Sequence, residues 1–584
     1  MTSESCIARS GPKLRSAPWL WLACAAAVVF QGCGRGIASD GADNPNDSEV
    51  APIAAPEPLP DPPPPAILSA ELGSQLFARH CAACHGERGD GKGLAAAFLF
   101  PKPRNLRAPS LRLVSTDNNV PTREDLHAVL LRGMPGSAMP PWAHLAEQER
   151  AALVEEILRI RREGIKESYI QRLKEEEELT DNEIAADDVQ LEINDYVNEF
   201  TTPGQSTTVP AASSPTAESI ARGKEAYVKF ACVSCHGETG RGDGVQEMYD
   251  EDKSPTRPRD FTLGIFKGNH DPASLYRRIA YGMPGTPMPS SSAMTPEELM
   301  DLAHYIRSLS TEEQRQAAIL RRMTIVAQRV KALPPSDGDE DWAAFEPVQV
   351  RTTPLWWRDD AAFQLSVQAV HDGSTIAFRL TWNDESADDH ASRTESFEDG
   401  VALELYRGPA EPFLGMGDQS SPVDVWFWDA DRQTGYAADD AEYPNKVVDV
   451  FPFSEATVES ADLNRRGARM ADQPDISLPA RAAGNLIVPT GSDESGGTAL
   501  HAAGPRTATF RVPQSQIVRA RGDWSDGRWS VVMTRPLSIE SPTDGIVLEP
   551  GGRASVAFAV WDGSHHDRNG QKSVTIWQDL QVEE

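Results

Sequence analysis

The sequence has no basic excess: 56 Lys and Arg stand against 87 Asp and Glu, a formal net charge of −31 over 584 residues. Such a surface cannot neutralise phosphates, which excludes nucleic acid as a partner. There is no cysteine to spare for a structural disulfide. Of seven cysteines, Cys6, Cys24 and Cys33 lie at the extreme N-terminus, and the rest form two close pairs, Cys81/Cys84 and Cys232/Cys235, which need a chemical explanation. Nor is there a long apolar run. The most apolar stretch, residues 20–30, falls short of the roughly 18 or more residues of a membrane-spanning helix. The length exceeds one ordinary domain and suits three or four.

Arg9, Lys13 and Arg15 ahead of the short apolar run form the charged and hydrophobic regions of an export signal. The run closes on Phe30-Gln31-Gly32-Cys33, which resembles a bacterial lipobox. That resemblance implies lipidation at Cys33 and a periplasmic lipoprotein held to a membrane, with Gly34 favouring the outer one; a plain anchor or cleavage elsewhere is the alternative. Residues 34–66, rich in Pro, Ala, Asp and Glu, cannot bury a core and read as an extended tether.

A repeat follows. His80-Cys81-Ala82-Ala83-Cys84-His85-Gly86-Glu87 returns as Cys232-Val233-Ser234-Cys235-His236-Gly237-Glu238. Gly133-Met134-Pro135-Gly136-Ser137-Ala138-Met139-Pro140 returns as Gly282-Met283-Pro284-Gly285-Thr286-Pro287-Met288-Pro289. Cys81 to Cys232 is a shift of 151 and Met139 to Met288 one of 149, so the copies differ by two residues of insertion. Each copy closes with a helical pattern, over residues 147–160 and 296–309.

Two thiols spaced C-x-x-C can add across haem vinyl groups, and the adjoining histidine is then held under the iron. Half a zinc site or a redox dithiol would not require that histidine. A thioether opposite imidazole raises the potential and suits electron transfer, and with both axial positions filled no site is open to oxygen or peroxide. Covalent c haems are thus expected on Cys81, Cys84, Cys232 and Cys235, with His85, Met139, His236 and Met288 on the irons; Met134 and Met283 are the alternatives, otherwise loop packing.

With these motifs, residues 67–162 and 217–312 resemble two class I cytochrome c domains, small all-α folds. The glycine-rich runs at 86–93 and 237–244 match that family's loop after the haem histidine. Pro103-Arg104-Asn105-Leu106 and Pro258-Arg259-Asp260-Phe261 match the segment whose proline carbonyl accepts a hydrogen bond from it.

Between the copies, residues 163–216 carry Lys174-Glu175-Glu176-Glu177-Glu178 and finish in Thr, Ser, Pro and Ala, a pattern that predicts a solvated helix and a flexible linker. Residues 313–345 read as a helical connector, with helix over 314–333. From residue 346 the period becomes two: Phe363, Leu365, Val367 and Ala369 alternate with polar residues, Asp372-Gly373 supplies a turn, and Ile376, Phe378, Leu380 and Trp382 resume. Further strands are expected at 401–406, 423–428, 507–512, 529–534, 555–561 and 573–580, giving an all-β sandwich. Ten of the 13 tryptophans lie at or after Trp342, enough for a large aromatic core.

Three stretches of this region resemble the haem b-binding gamma subunit of ethylbenzene dehydrogenase and dimethyl sulfide dehydrogenase. They are Phe413-Leu414-Gly415-Met416-Gly417-Asp418 with Val423-Asp424-Val425-Trp426-Phe427-Trp428; Ala482-Ala483-Gly484-Asn485; and Val560-Trp561-Asp562-Gly563 through Gly570-Gln571-Lys572-Ser573. The resemblance implies a non-covalent b haem held by a methionine and a lysine, which map to Met416 and Lys572. Lys446 is the reserve, since no other lysine follows residue 350, and His565 and His566 are further alternatives. A ligating lysine must be neutral, hence desolvated.

The resemblance implies an exported electron-transfer protein with no catalysis of its own. It would relay electrons between a molybdenum oxidoreductase of the dimethyl sulfoxide reductase family, with its iron–sulfur subunit, and a respiratory chain or other redox proteins. The competing reading keeps two cytochromes but makes the sandwich a haem-free recognition module for polysaccharide or partner. An open-haem enzyme is a third, disfavoured by the sixth ligands.

Overall fold

A computed structural model describes residues 65–211, 213–291, 293–335, 338–358, 364–389, 396–433, 495–540 and 545–584. The export signal, Cys33, most of the tether, Lys446 and Ala482-Ala483-Gly484-Asn485 lie outside the described residues.

The N-terminal half is helical. Helix α1 (Pro65–His80) runs into the single turn α2 (Ala82–His85). Helix α3 (Arg123–Arg132) starts at a reciprocal cap: the Thr122 hydroxyl accepts from the Asp125 N–H, and the Asp125 carboxylate accepts from the Thr122 N–H. Helices α4 (Glu147–Glu176), α5 (Asp181–Ile184) and α6 (Asp187–Thr201) follow. The repeat reappears as α7 (Ala217–Lys229), α8 (Val233–His236), α9 (Pro272–Tyr281) and α10 (Pro296–Ser308). The first and last helices of each copy pack on one another, α1 on α4 and α7 on α10. They meet at glycine: a Cβ on Gly73 would stand 2.4 Å from the Ala152 oxygen, and one on Gly223 2.0 Å from that of Asp301. No larger residue allows that approach. Leu76, Leu126, Leu153 and Ile157 form the first core, and Leu275, Ile279, Leu299 and Leu302 the second.

The segment expected as solvated helix and flexible linker is packed instead. Helix α4 continues into the charge run, ending at Glu176, and α6 folds back on it, burying Ile165, Tyr169, Leu173, Ile184, Ile193 and Val197. Tyr169 stacks on Tyr196 at 3.9 Å. Ile165, Tyr169 and Leu173 stand four apart on one face, a stripe hidden in the sequence by its charged surroundings. Farther on, Thr207 donates through N and Oγ1 to the Ser115 carbonyl at 2.7 and 2.9 Å, tying the segment to the first copy.

Strands β1 (Met248–Tyr249) and β2 (Pro255–Thr256) form a small ribbon in the second copy. The remaining strands are β3 (Thr324–Arg329), β4 (Val348–Arg351), β5 (Thr353–Pro354), β6 (Gln364–His371), β7 (Thr375–Asn383), β8 (Gly400–Tyr406), β9 (Val423–Asp429), β10 (Gly497–Ala502), β11 (Thr509–Phe510), β12 (Arg519–Ser525), β13 (Arg528–Pro536), β14 (Arg553–Trp561), β15 (Ser573–Val574) and β16 (Gln578–Val582). They form one sheet in the order β11-β10-β9-β8-β14-β16-β3-β6-β7-β13-β12, with β4 on β6 and β15 joining β14 to β5. The expected sandwich is therefore one continuously hydrogen-bonded sheet. It curls until β12 also packs against β9 and β10, enclosing a single core in which Trp426, Phe378, Leu380 and Val531 are wholly buried.

Strand β3 corrects the helical connector. Only a short helix, Glu312–Ala317, is formed there before β3 enters the middle of the sheet, parallel to both β16 and β6. Thr324, Ile325 and Val326 are β-branched and favour strand, and Ile325 and Ala327 alternate inward. The run expected at 573–580 splits into β15 and β16, and that at 507–512 shrinks to β11. No described helix is long and apolar enough to cross a membrane.

Candidate cofactor sites

In the first copy, α2 gathers Cys81, Cys84 and His85 on one helical turn against a shared cavity wall. The His85 Nδ1–H donates to the Arg104 carbonyl at 2.8 Å, which fixes the ring and points Nε2 away from it. The acceptor is Arg104 and not the expected Pro103, whose carbonyl faces the glycine run. A Cβ on Gly91, at φ +79°, would lie 2.7 Å from the Pro103 oxygen, and one on Gly242, at φ +75°, the same distance from that of Pro258. Burial lowers the His85 pKa and keeps the imidazole neutral, as an iron ligand requires. Burial pushes both thiols, Cys81 and Cys84, up to about 12.

The methionine loops are superposable in their bonding. In the first, the Met134 N–H donates to the Met139 carbonyl at 3.0 Å and the Ser137 hydroxyl to that of Met134 at 2.7 Å. In the second, the Met283 N–H donates to the Met288 carbonyl at 3.2 Å and the Thr286 hydroxyl to that of Met283 at 2.8 Å. Both Met134 and Met139 line the first cavity, so the fold places the preferred ligand and its alternative together. In the second copy, Met283 is buried and Met288 half-buried. His236 stacks on Phe261 at 4.5 Å, and burial draws its pKa down to about 4 against the opposing Arg259 main chain. Its buried Nδ1 closes no hydrogen bond.

The third site lies on the outer face of the sheet. Side chains alternate along a strand, so Val401, Leu403 and Leu405 of β8 enter the core while Gly400, Ala402 and Glu404 face outward. Beside them, Val425 and Phe427 of β9 and Ala557 and Ala559 of β14 complete a floor with few bulky groups. Met416 and Lys572 both line this space. Met416 holds φ +79°, a left-handed conformation that costs a non-glycine residue about 1–3 kcal/mol. The Lys572 ammonium stands 4.5 Å from the Trp561 ring centroid, and burial lowers its pKa against the pull of Glu404. Burial pushes Glu404 up to about 8. Glu404 was missed from sequence, although an acid on the outward face of an apolar strand is a signal. His565 instead bonds Asp562 at 2.8 Å, and His566 packs edge-on to Phe397.

The first and third sites are one cavity of about 960 Å³. Its walls run from His85 and Met139 to Met416 and Lys572. Phe413 and Leu355 from the sheet side pack on Ala95, Leu99, Cys84 and Ala138 between them. The Phe100 N–H donates to the Leu355 carbonyl at 2.9 Å, and the Phe100 ring stands 5.4 Å from that of Trp356. A large, mostly apolar space with a few placed donors suits a flat hydrophobic cofactor, and the neutral imidazole, paired thiols and thioethers suit haem.

Comparison with known proteins agrees with this layout. Residues 69–155 match the family model of cytochrome c oxidase, cbb3-type, subunit III, residues 220–310 that of cytochrome c, and residues 339–573 that of ethylbenzene dehydrogenase. The chain is 26% identical over 220 residues to a Haloferax mediterranei protein provisionally described as a respiratory nitrate reductase heme subunit, covering 38% of this chain and 56% of that one. It is 27% identical over 221 residues to the chlorate reductase gamma subunit of Ideonella dechloratans, covering 37% and 65%. It is 26% identical over 226 residues to the dimethylsulfide dehydrogenase gamma subunit of Rhodovulum sulfidophilum, covering 38% and 62%. The chain thus spans between 56% and 65% of the length of these relatives. Among solved structures, a chain of the Kuenenia stuttgartiensis reducing HAO-like protein complex overlaps at 32% identity and a TM-score of 0.34, covering 41% of this chain and 96% of that one.

Proposed function

From the premise that the chain joins two cytochrome c-type domains to a domain of the ethylbenzene dehydrogenase type, like that of gamma subunits, we propose that it is an exported three-haem electron relay. Cys81 and Cys84 carry one c haem, with His85 and Met139 on its iron; Cys232 and Cys235 carry the other, with His236 and Met288. Met416 and Lys572 hold a b haem. Each haem supplies reversible one-electron chemistry. The residues tune it: His85 is oriented by the Arg104 carbonyl, burial lowers the pKa of Lys572, and the Phe413 and Leu355 side chains pack between the first and third sites.

The observation that carries this reading is the single cavity containing both ligand sets, because groups in one apolar space exchange electrons without crossing solvent. Electrons pass between the b haem and the first c haem, and the second c haem is the exchange point with other redox proteins. The b haem partner in this reading is a molybdenum oxidoreductase of the dimethyl sulfoxide reductase family with its iron–sulfur subunit; that the relatives are gamma subunits of a chlorate reductase and a dimethylsulfide dehydrogenase supports a redox enzyme as partner. In this reading the chain is periplasmic and anchored through a lipid on Cys33.

The test is a quantified pyridine haemochrome spectrum of protein made with a cytochrome c maturation system, before and after acid–acetone extraction. Two covalent c haems and one extractable b haem are expected, and Met416→Ala with Lys572→Ala should remove only the extractable one. An unchanged extractable fraction overturns the b-haem assignment; two c haems with nothing extractable leave a dihaem carrier with a recognition module.

A further inference from the structure

Equivalent positions of the repeat meet where the two cytochrome c-type domains touch. Arg104 and Arg112 of the first copy correspond, at a shift of 155, to Arg259 and Lys267 of the second. All four line the cavity that contains His85 and Met139. Three have protein partners. Arg104 donates to the Ser110 carbonyl at 2.6 Å and pairs with Glu251 at 2.5 Å, Arg112 pairs with buried Asp250, and Arg259 crosses to the Gly136 carbonyl at 2.5 Å.

Lys267 differs. The chain beside it lies against the first copy, since a Cβ on Gly268 would stand 3.9 Å from Leu113, and Arg278 donates to the Arg112 and Val114 carbonyls. Its ammonium has no hydrogen-bond or ion-pair partner among the described residues. Burial draws its pKa down to about 7, Arg259 and Arg112 push the same way, and Asp250 alone opposes. An ammonium that lines an apolar cavity with no hydrogen-bond or ion-pair partner of its own is retained where a ligand supplies one. A ligand that fits an apolar cavity in which Lys267, Arg112 and Arg259 lie near one another is an apolar disc bearing carboxylates on one edge, which describes haem.

We propose that Lys267, contributed by the second cytochrome c-type domain, binds a carboxylate of the haem seated in the first, with Arg112 and Arg259 beside it. The inference rests on the reading that Cys81 and Cys84 carry haem. Charge-assisted ammonium–carboxylate bonding seats that edge, and the nearby cation favours the reduced iron, so the second domain sets the potential of the first domain's haem.

The test is Lys267→Met in the full, haem-loaded chain, read by redox titration. Cys81→Ala/Cys84→Ala and Cys232→Ala/Cys235→Ala backgrounds identify which c haem is observed. The first haem's oxidised-to-reduced ratio at fixed potential should rise about tenfold, a fall of about 59 mV for a one-electron couple. Lys267→Arg should restore it, and Lys267→Gln, a milder change, should reproduce the fall. In the Cys81→Ala/Cys84→Ala background nothing should move. A shift of the second haem alone, or of neither, overturns the proposal. Haemochrome content measured in parallel separates the failures: absence of covalent haem at Cys81 and Cys84 overturns the haem reading itself, whereas haem present with an unmoved potential overturns the lysine assignment alone.

Discussion

The two cytochrome c-type copies share a local design but not a setting. Helix crossing at glycine and methionine-loop bonding recur nearly atom for atom. The segment after the glycine run does not. The residue after the run is exposed in both copies, Leu94 at 63% and Val245 at 98%, but in the first copy Phe413 packs on the residues that follow, Ala95 and Leu99. A cofactor edge covered by protein exchanges electrons inward, and one open to solvent can meet a separate partner. The repeat therefore specifies the local arrangement of thiols, imidazole and thioethers, and the neighbours specify what covers it.

The strongest way to break this comparison is to delete the attachment cysteines of either copy. Cys81→Ala/Cys84→Ala and Cys232→Ala/Cys235→Ala should each halve the covalent haem measured by haemochrome. Only the first should also abolish rapid electron exchange between the b haem and the remaining c haem in stopped-flow mixing; equal loss in both would sink the proposed order. Next come the wholly buried core leucines, Leu153 and Leu302, at corresponding positions. Each change to Ala should cost about 2–5 kcal/mol, seen as lowered denaturant midpoints for the copy concerned, and a large inequality would show that the cores are not equivalent.

Phe413→Ala sharpens the difference in setting. It should weaken packing between sheet and first copy by about 1.5–3 kcal/mol and lower the first c haem's potential toward that of the second, by redox titration; an unmoved potential would mean that the cover is irrelevant. The smallest effects belong to Gly91→Ala and Gly242→Ala. Each forces a left-handed alanine at a cost of at least about 1–2 kcal/mol and sets its Cβ 2.7 Å from a backbone carbonyl, and melting temperatures should fall alike in both, because the backbone conformation and the facing carbonyl are the same.

Much of this was legible in the chain. The C-x-x-C-H elements, the spaced methionines and the period change near residue 346 locate the helical copies and the sheet. Met416 and Lys572, far apart in sequence, do converge on one space. Other features were hidden. The α4–α6 hairpin lay under a charge run whose polar residues outnumber its apolar stripe. Strand β3 is too short to separate from helix by pattern, and only its long-range pairing with β6 and β16 decides its state. The His85 acceptor is the Arg104 carbonyl, while that of Pro103 faces the close approach at Gly91.

By itself the sequence determined the local pattern: each thiol pair and its adjoining histidine are set by covalent spacing along one helical turn, and the methionine loops recur as a second short motif. Tertiary structure alone decided which of those groups share a space. That the first copy opens onto the outer face of the sheet, and that Lys267 of one domain faces the cavity of the other, depends on contacts between residues hundreds apart, where packing and desolvation act without leaving a local pattern.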